Sequence, residues 1–191
     1  AGGNSLIEIR ADGSTSVVAT FGPTPAPAPF GSSEAVPTEV ERGPDGALYV
    51  SKLTGVPFVA GNAAIMRVVP GEAPTVFAGG FKTITDFAFA PDGSMYVVEY
   101  ASAPVFFGGP GRLTRVAADG TRQLVSSALE FPTGVTVGPN GAVYVSNKGA
   151  LSGAGEVHQD DLLASSTWTS TDATSSFVTR CTSYATRERT A

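Results

Sequence analysis

Gly43-Pro44-Asp45-Gly46-Ala47-Leu48-Tyr49-Val50, Ala90-Pro91-Asp92-Gly93-Ser94-Met95-Tyr96-Val97 and Gly138-Pro139-Asn140-Gly141-Ala142-Val143-Tyr144-Val145 are three writings of one line. They start at 43, 90 and 138, so the spacing is 47 and then 48 residues. A fixed period of this size signals one supersecondary unit stacked on copies of itself. In each copy a short apolar run leads into Pro-Asp-Gly or Pro-Asn-Gly. Pro presets φ, the Asx side chain bonds its own backbone, and Gly accepts positive φ, so the chain reverses tightly. The run that follows alternates, with Leu48 and Val50 on one side and Tyr49 on the other. Two extended runs around such a turn predict a β-hairpin.

A second hairpin follows in each unit. Its copies begin at Leu6-Ile7-Glu8-Ile9-Arg10, Ile65-Met66-Arg67-Val68 and Leu113-Thr114-Arg115-Val116, and end in Val17-Val18, Val76-Phe77 and Leu124-Val125. No stretch carries an apolar period near 3.6 long enough for a helix. Four short antiparallel strands per unit of this length predict an all-β chain built as a β-propeller. A β-sandwich also has many short strands, but it has no reason to repeat one turn and its flanks at 47 and 48 residues.

The organisation expected is residues 1–21 as the end of a preceding blade and 22–36 as a stiff, extended Pro/Ala-rich crossing. Blades at 37–80 and 81–128 follow, then a partial blade at 129–160. Residues 161–191 form a Ser/Thr-rich tail, disordered or foreign to the fold. About three blades are fewer than the four to eight of a closed ring. The expectation is therefore a partial ring, its edges covered by remaining blades of a longer propeller or by self-association.

A net charge of −5 and the lack of a basic stripe argue against a nucleic-acid partner. No apolar run is long enough to span a membrane as a helix. Low Lys with abundant Ser, Thr, Gly and Ala suits an exported bacterial protein, extracellular or periplasmic. The single cysteine, Cys181, cannot close an internal disulfide, and the single histidine, His158, reads as an ordinary polar residue at a strand end. A His or Cys zinc cage is excluded by count. Asp45, Asp92 and Asn140 read as turn formers rather than calcium ligands. Arg10, Arg67 and Arg115 read as a repeated structural position, packing between blades.

Propeller topology brings the start of strand one and the end of strand two to one face, around the channel mouth. Aligned on the turns, Glu39, Asp86 and Gly134 share the first position, beside Thr38, Thr85 and Thr133, and Lys52, Glu99 and Asn147 follow strand two. The loops 52–64, 99–111 and 147–155 add Phe58, Tyr100, Phe106 and Phe107. A concave mouth with a few polar groups and an aromatic surround is where a small molecule or a protein binds. The candidate ligand-binding residues are Glu39, Asp86, Glu99, Thr133 and Asn147. Asp86, Glu99 and Asn147 offer oxygens suited to Ca²⁺ or another divalent cation.

Val36-Pro37-Thr38, the line at 43–50, Leu53-Thr54-Gly55-Val56-Pro57-Phe58, Asp86 to Gly93 and Phe131-Pro132-Thr133-Gly134-Val135 together resemble the ScyD/ScyE-type propeller family of scytonemin clusters. Around it stand the wider NHL and gluconolactonase-like propellers. The resemblance covers roughly residues 1–157 and implies a six-bladed, often exported ring with no assigned catalytic residues. The chain departs from it at Glu39, where a small residue is usual, at Lys52, where Glu is usual, and after Val157. Three functions follow as expectations: a non-catalytic binding or scaffold propeller, a metal-dependent lactone hydrolase of the gluconolactonase type, or an accessory protein of a secreted aromatic pigment pathway.

Overall fold

The computed structural model describes residues 3–103, 108–160 and 169–171, and among these the chain forms strands and no helix. The Pro-Asx-Gly turns act as the sequence predicts. Oδ1 of Asp45, Asp92 and Asn140 accepts from the amide two residues on, at 3.1, 2.9 and 3.2 Å. Gly46, Gly93 and Gly141 sit at φ 80°, 80° and 83°, a region an L side chain resists.

The first hairpin, β1 (Ser5–Ile9) and β2 (Thr15–Thr20), makes a two-stranded sheet. Three four-stranded antiparallel sheets carry the repeats. The first is β5 (Ala35–Arg42), β6 (Leu48–Thr54), β7 (Ala63–Val68) and β8 (Thr75–Phe81). The second is β9 (Ile84–Phe89), β10 (Met95–Glu99), β11 (Gly111–Val116) and β12 (Arg122–Leu129). The third is β13 (Gly134–Val137), β14 (Val143–Asn147), β15 (Glu156–Asp160) and β16 (Thr169–Thr171). Two segments differ from expectation. Residues 22–36 do not run as an extended crossing: β3 (Thr24–Pro25) folds back on β4 (Ser32–Ser33), turned by Gly31 at φ 69°. The last sheet gains a fourth strand, β16, from the Ser/Thr-rich region, where Val157 pairs with Thr171. Phe106, Phe107, Trp168, Phe177 and Cys181 lie outside the described residues.

The sheets stack face to face in chain order. Tyr49, Ile65 and Phe81 of the first pack on Phe87, Met95 and Val97 of the second. Tyr96, Leu113 and Leu129 then pack on Val135, Val143 and Val145 of the third. Burying each such side chain contributes about 1.5–3 kcal/mol. The period-two alternation thus serves two interfaces: Tyr49 and Tyr96 look forward along the stack, Val50 and Val97 backward. This is a partial propeller ring whose innermost strands, β5, β9 and β13, are neighbours.

Candidate functional site at the inner strands

The first two inner strands, β5 and β9, are bulged near their starts, and β13 is not. Pro37 pairs with Lys52 and Glu39 with Ser51, leaving Thr38 as the extra residue. In the next sheet Ile84 pairs with Glu99 and Asp86 with Val98, leaving Thr85. A bulge re-aims the side chain it carries. Here it turns the Thr38 hydroxyl to the carbonyl of Ile84 in the following sheet, 3.1 Å, and Thr85 to that of Pro132, 3.3 Å. Thr133, third in the series, is exposed and shares a hydrogen bond with Ser146 Oγ at 3.0 Å.

Carboxylates sit beside these stitches. Asp86 accepts from its own neighbour Phe87 N–H at 2.8 Å and from Val135 N–H of the next sheet at 2.7 Å. Glu41, which the turn alignment did not single out, accepts from Phe89 N–H at 3.0 Å. Burial pushes the Asp86 carboxyl above its ordinary value, against the two amide bonds, and the charge of Glu39 adds to the rise. Burial also raises Glu41, with Asp86 and Glu39 repelling it further. Glu39, Glu41 and Asp86 therefore form one electrostatic group on two adjoining inner strands. Period-two alternation from Glu39 points to Glu41, the signal by which the sequence could have found it.

Glu99 and Asn147 have different work. Glu99 Oε1 accepts from Lys82 N–H at 2.8 Å, and Asn147 Oδ1 from Glu130 N–H at 2.7 Å, both 17 residues upstream. Each closes the loop that leads from an outer strand into an inner one. The Glu99 side chain is buried, and burial raises its pKa, opposed by the Lys82 amide and by Arg112, Arg122 and Lys82. Lys52, at the same place in the first sheet, has no acceptor to offer. There the ladder itself extends to Ala35 and Thr54, and burial lowers the Lys52 pKa. Among the described residues no group of three His, Cys, Asp or Glu side chains could hold a metal ion.

Asn147 also donates from Nδ2 to Glu156 Oε1 at 2.8 Å, where His158 Nε2 meets the same oxygen at 2.7 Å and Lys148 Nζ lies 3.3 Å away. These partners, His158 first, hold the Glu156 carboxyl down to about 2. His158 lies within β15, opposite Val145, not at a strand end. Of the aromatic residues expected at the mouth, Tyr100 lies against Phe131 at 5.2 Å between ring centroids, and Phe58 stands at φ 55°.

The repeated arginines act within a blade rather than between blades. Arg67 pairs with Asp45 at 2.7 Å and Arg115 with Asp92 at 2.7 Å, each clamping the turn of its own sheet. Arg10 is not their counterpart. The closing turn bonds Gly13 N–Arg10 O, Glu72 N–Val69 O and Gly120 N–Ala117 O align Glu8, not Arg10, with Arg67 and Arg115. The unequal turn sequences after these strands concealed the two-residue offset.

No family model and no curated protein matches the chain. Solved structures do. A structure assigned to the gluconolactonases matches with a TM-score of 0.56 at 20% identity, over 88% of this chain and 55% of that one. A protein from Lactobacillus plantarum gives 0.44 at 15% identity over 88% and 63%, and one assigned as a 6-phosphogluconolactonase from Bacteroides fragilis NCTC 9343 gives 0.46 at 13% over 87% and 62%. The chain is a β-propeller arc. It spans a little over half of the first of these neighbours, and at this identity the likeness is one of fold.

Proposed function

We propose that the chain belongs to an exported, non-catalytic binding propeller whose inner strands take a small polar ligand rich in hydrogen-bond donors. The supporting observation is the group Glu39, Glu41 and Asp86. Glu41 and Asp86 are both raised in pKa, and their hydrogen bonds go to backbone amides. An ionised carboxylate has about four acceptor sites, so these bonds leave capacity for hydroxyl or ammonium donors. The Phe89 and Val135 amides are built-in reporters. Titrating ¹⁵N-labelled protein with glucosamine, and separately with δ-gluconolactone, is expected to shift both, and Asp86→Asn to weaken the response at Val135. Static amides under both probes remove the reading.

A lactone hydrolase is the second reading, supported by the gluconolactonase-like fold and by the residue types of Asp86, Glu99 and Asn147. It predicts turnover of δ-gluconolactone that depends on added Ca²⁺ and falls in Asp86→Ala. The likeness of Leu53–Phe58 and its context to the six-bladed ScyD/ScyE-type proteins supports a third role, beside a secreted aromatic pigment pathway. Neighbouring genes for aromatic pigment chemistry are its test.

A further inference from the structure

We infer that Phe131 and Tyr100 form a stacking subsite for a pyranose ring, on the face where the inner strands begin. The subsite goes beyond the reading above and does not use the carboxylates of the inner strands. Its first support is backbone conformation. Among the described residues, three other than glycine take a positive φ: Phe58 at 55°, Phe131 at 47° and Lys148 at 56°. That region is uncommon for L residues and a genuine outlier for a bulky one. Such outliers persist only where the surroundings over-determine them, and they gather at ligand clamps. All three lie in loops of one face: Phe58 after β6, Phe131 before β13 and Lys148 after β14.

Phe131 is held from both sides. Glu130 N–H donates to Asn147 Oδ1 at 2.7 Å, and Lys148 N–H donates to the Glu130 carbonyl at 2.7 Å. Thr133 N–H donates to the Ser146 carbonyl at 3.0 Å. The conformation is not repaid by burial, because Phe131 is only half-buried and belongs to none of the three buried cores. Its ring is set beside that of Tyr100, 5.2 Å between centroids and 35° between planes. Tyr100 is half-buried too, and its N–H bonds the Thr83 carbonyl at 2.9 Å. A phenylalanine held in a costly conformation and left at the surface presents its ring rather than packs it.

The polar groups beside the ring choose the occupant. Glu130 is exposed and offers a carboxylate. Thr133 is exposed, and its hydroxyl oxygen, bonded to Ser146 Oγ, keeps acceptor capacity. The negative face of an aromatic ring attracts the weakly positive C–H bonds on the apolar face of a pyranose. The hydroxyls around the sugar's edge then meet the Glu130 carboxylate and the Thr133 oxygen. A planar aromatic ligand would stack as well, but it would leave both polar groups unused.

The test titrates protein carrying ¹³C-labelled Phe and Tyr with methyl β-D-glucopyranoside, methyl β-D-galactopyranoside and phenol, each separately. With at least one pyranoside, saturable shifts of the Phe131 and Tyr100 ring signals are expected, and the sugar's C–H protons move upfield. Phe131→Asn is expected to bind that pyranoside roughly tenfold more weakly. Glu130→Ala, which keeps the backbone bonds of residue 130, is expected to bind it roughly threefold more weakly. Asn tolerates positive φ, so Phe131→Asn is expected to melt no lower than wild type, whereas a ring needed for packing would lower the transition. Asp86→Asn is expected to leave the titration unchanged, which separates this subsite from the inner-strand group. Ring signals that answer neither pyranoside, or answer phenol alone, overturn the proposal. So does a Phe131→Asn protein that melts well below wild type, or a response that Asp86→Asn abolishes.

Discussion

Asp86 Oδ2 accepts the Val135 N–H at 2.7 Å, so a carboxylate of β9 takes up a backbone donor of β13 in the next sheet. Burial, the larger influence, raises the Asp86 pKa in the fold above its ordinary 3.8. The folded protein then holds this proton to higher pH than the unfolded chain does. Its contribution is full below the unfolded value and is lost as pH rises through the folded one. Replacing Asp86 with Asn removes that loss. The melting temperature of Asp86→Asn minus that of wild type is therefore expected to increase from pH 4 to pH 7. A gap that does not move with pH sinks the raised pKa.

The carboxylates of Asp92 and Glu156 respond in the opposite sense. Hydrogen bonds from Ser94 and Arg115 hold Asp92 down to about 2, and His158 and Asn147 do the same for Glu156. Their stabilisation is present above the ordinary carboxylate range and is lost as pH falls through about 2. Asp92 is a solvated turn residue, so the Arg115 pair itself is worth little, about 0.5 kcal/mol. At pH 7, Asp92→Asn keeps the turn bond to Ser94 and costs about that amount, whereas Asp92→Ala loses both and costs about 1–1.5 kcal/mol. Urea denaturation resolves the two. Equal losses argue that the turn bond contributes nothing.

Glu99 serves a buried amide and Asn147 a half-buried one, which makes shape matter more than charge. Glu99→Gln retains an oxygen for the Lys82 N–H and is expected to cost under about 1 kcal/mol. Glu99→Ala strands that amide and is expected to cost about 1–3 kcal/mol. Asn147→Ala is expected to behave likewise through Glu130. If Glu99→Gln and Glu99→Ala melt together, the bond to Lys82 is not what Glu99 is for.

Gly111 opens β11 where a methyl group meets Pro132 and, at 3.0 Å, the Glu99 carbonyl. Neither is the free end of a flexible side chain. Gly111→Ala is expected to destabilise by about 1–3 kcal/mol. Gly61, with nothing near its added carbon, is a poor control because its φ is 92°. Gly22, with open space and no such φ, is the better one, and its Ala variant is expected within about 0.5 kcal/mol of wild type.

The repeats were legible because their cause is local: Asp45, Asp92 and Asn140 each bond an amide two residues away, so the turn is written in adjacent letters. The four-strand unit followed from two hairpins per repeat, and the side on which Tyr49 lies followed from alternation. The rim was legible only in part. Aligning on turns placed Asp86 and Glu39 correctly at the inner strands, but the bulges at Thr38 and Thr85 redirect those strands, and a bulge has no signature in a single letter. Glu99 and Asn147 looked like ligands because oxygen-bearing side chains at strand ends suit both a cation and a loop amide. The donors, Lys82 and Glu130, are backbone groups, which sequence does not display. The ribbon at 24–33 was hidden for a related reason: a Pro/Ala run suits an extended path, and Gly31 reverses it.

The Arg122 side chain reaches back from β12 to the Gly79 carbonyl and lies 4.2 Å from the centre of the Phe81 ring. The first and second four-stranded sheets are thus fastened at their periphery as well as near the axis. Between the second and third, the side-chain ties recorded among the described residues, from Thr85 to Pro132 and from Asp86 to Val135, lie near the axis. Pulled apart at the rim, the first two sheets must release this outer clasp before they part near the axis.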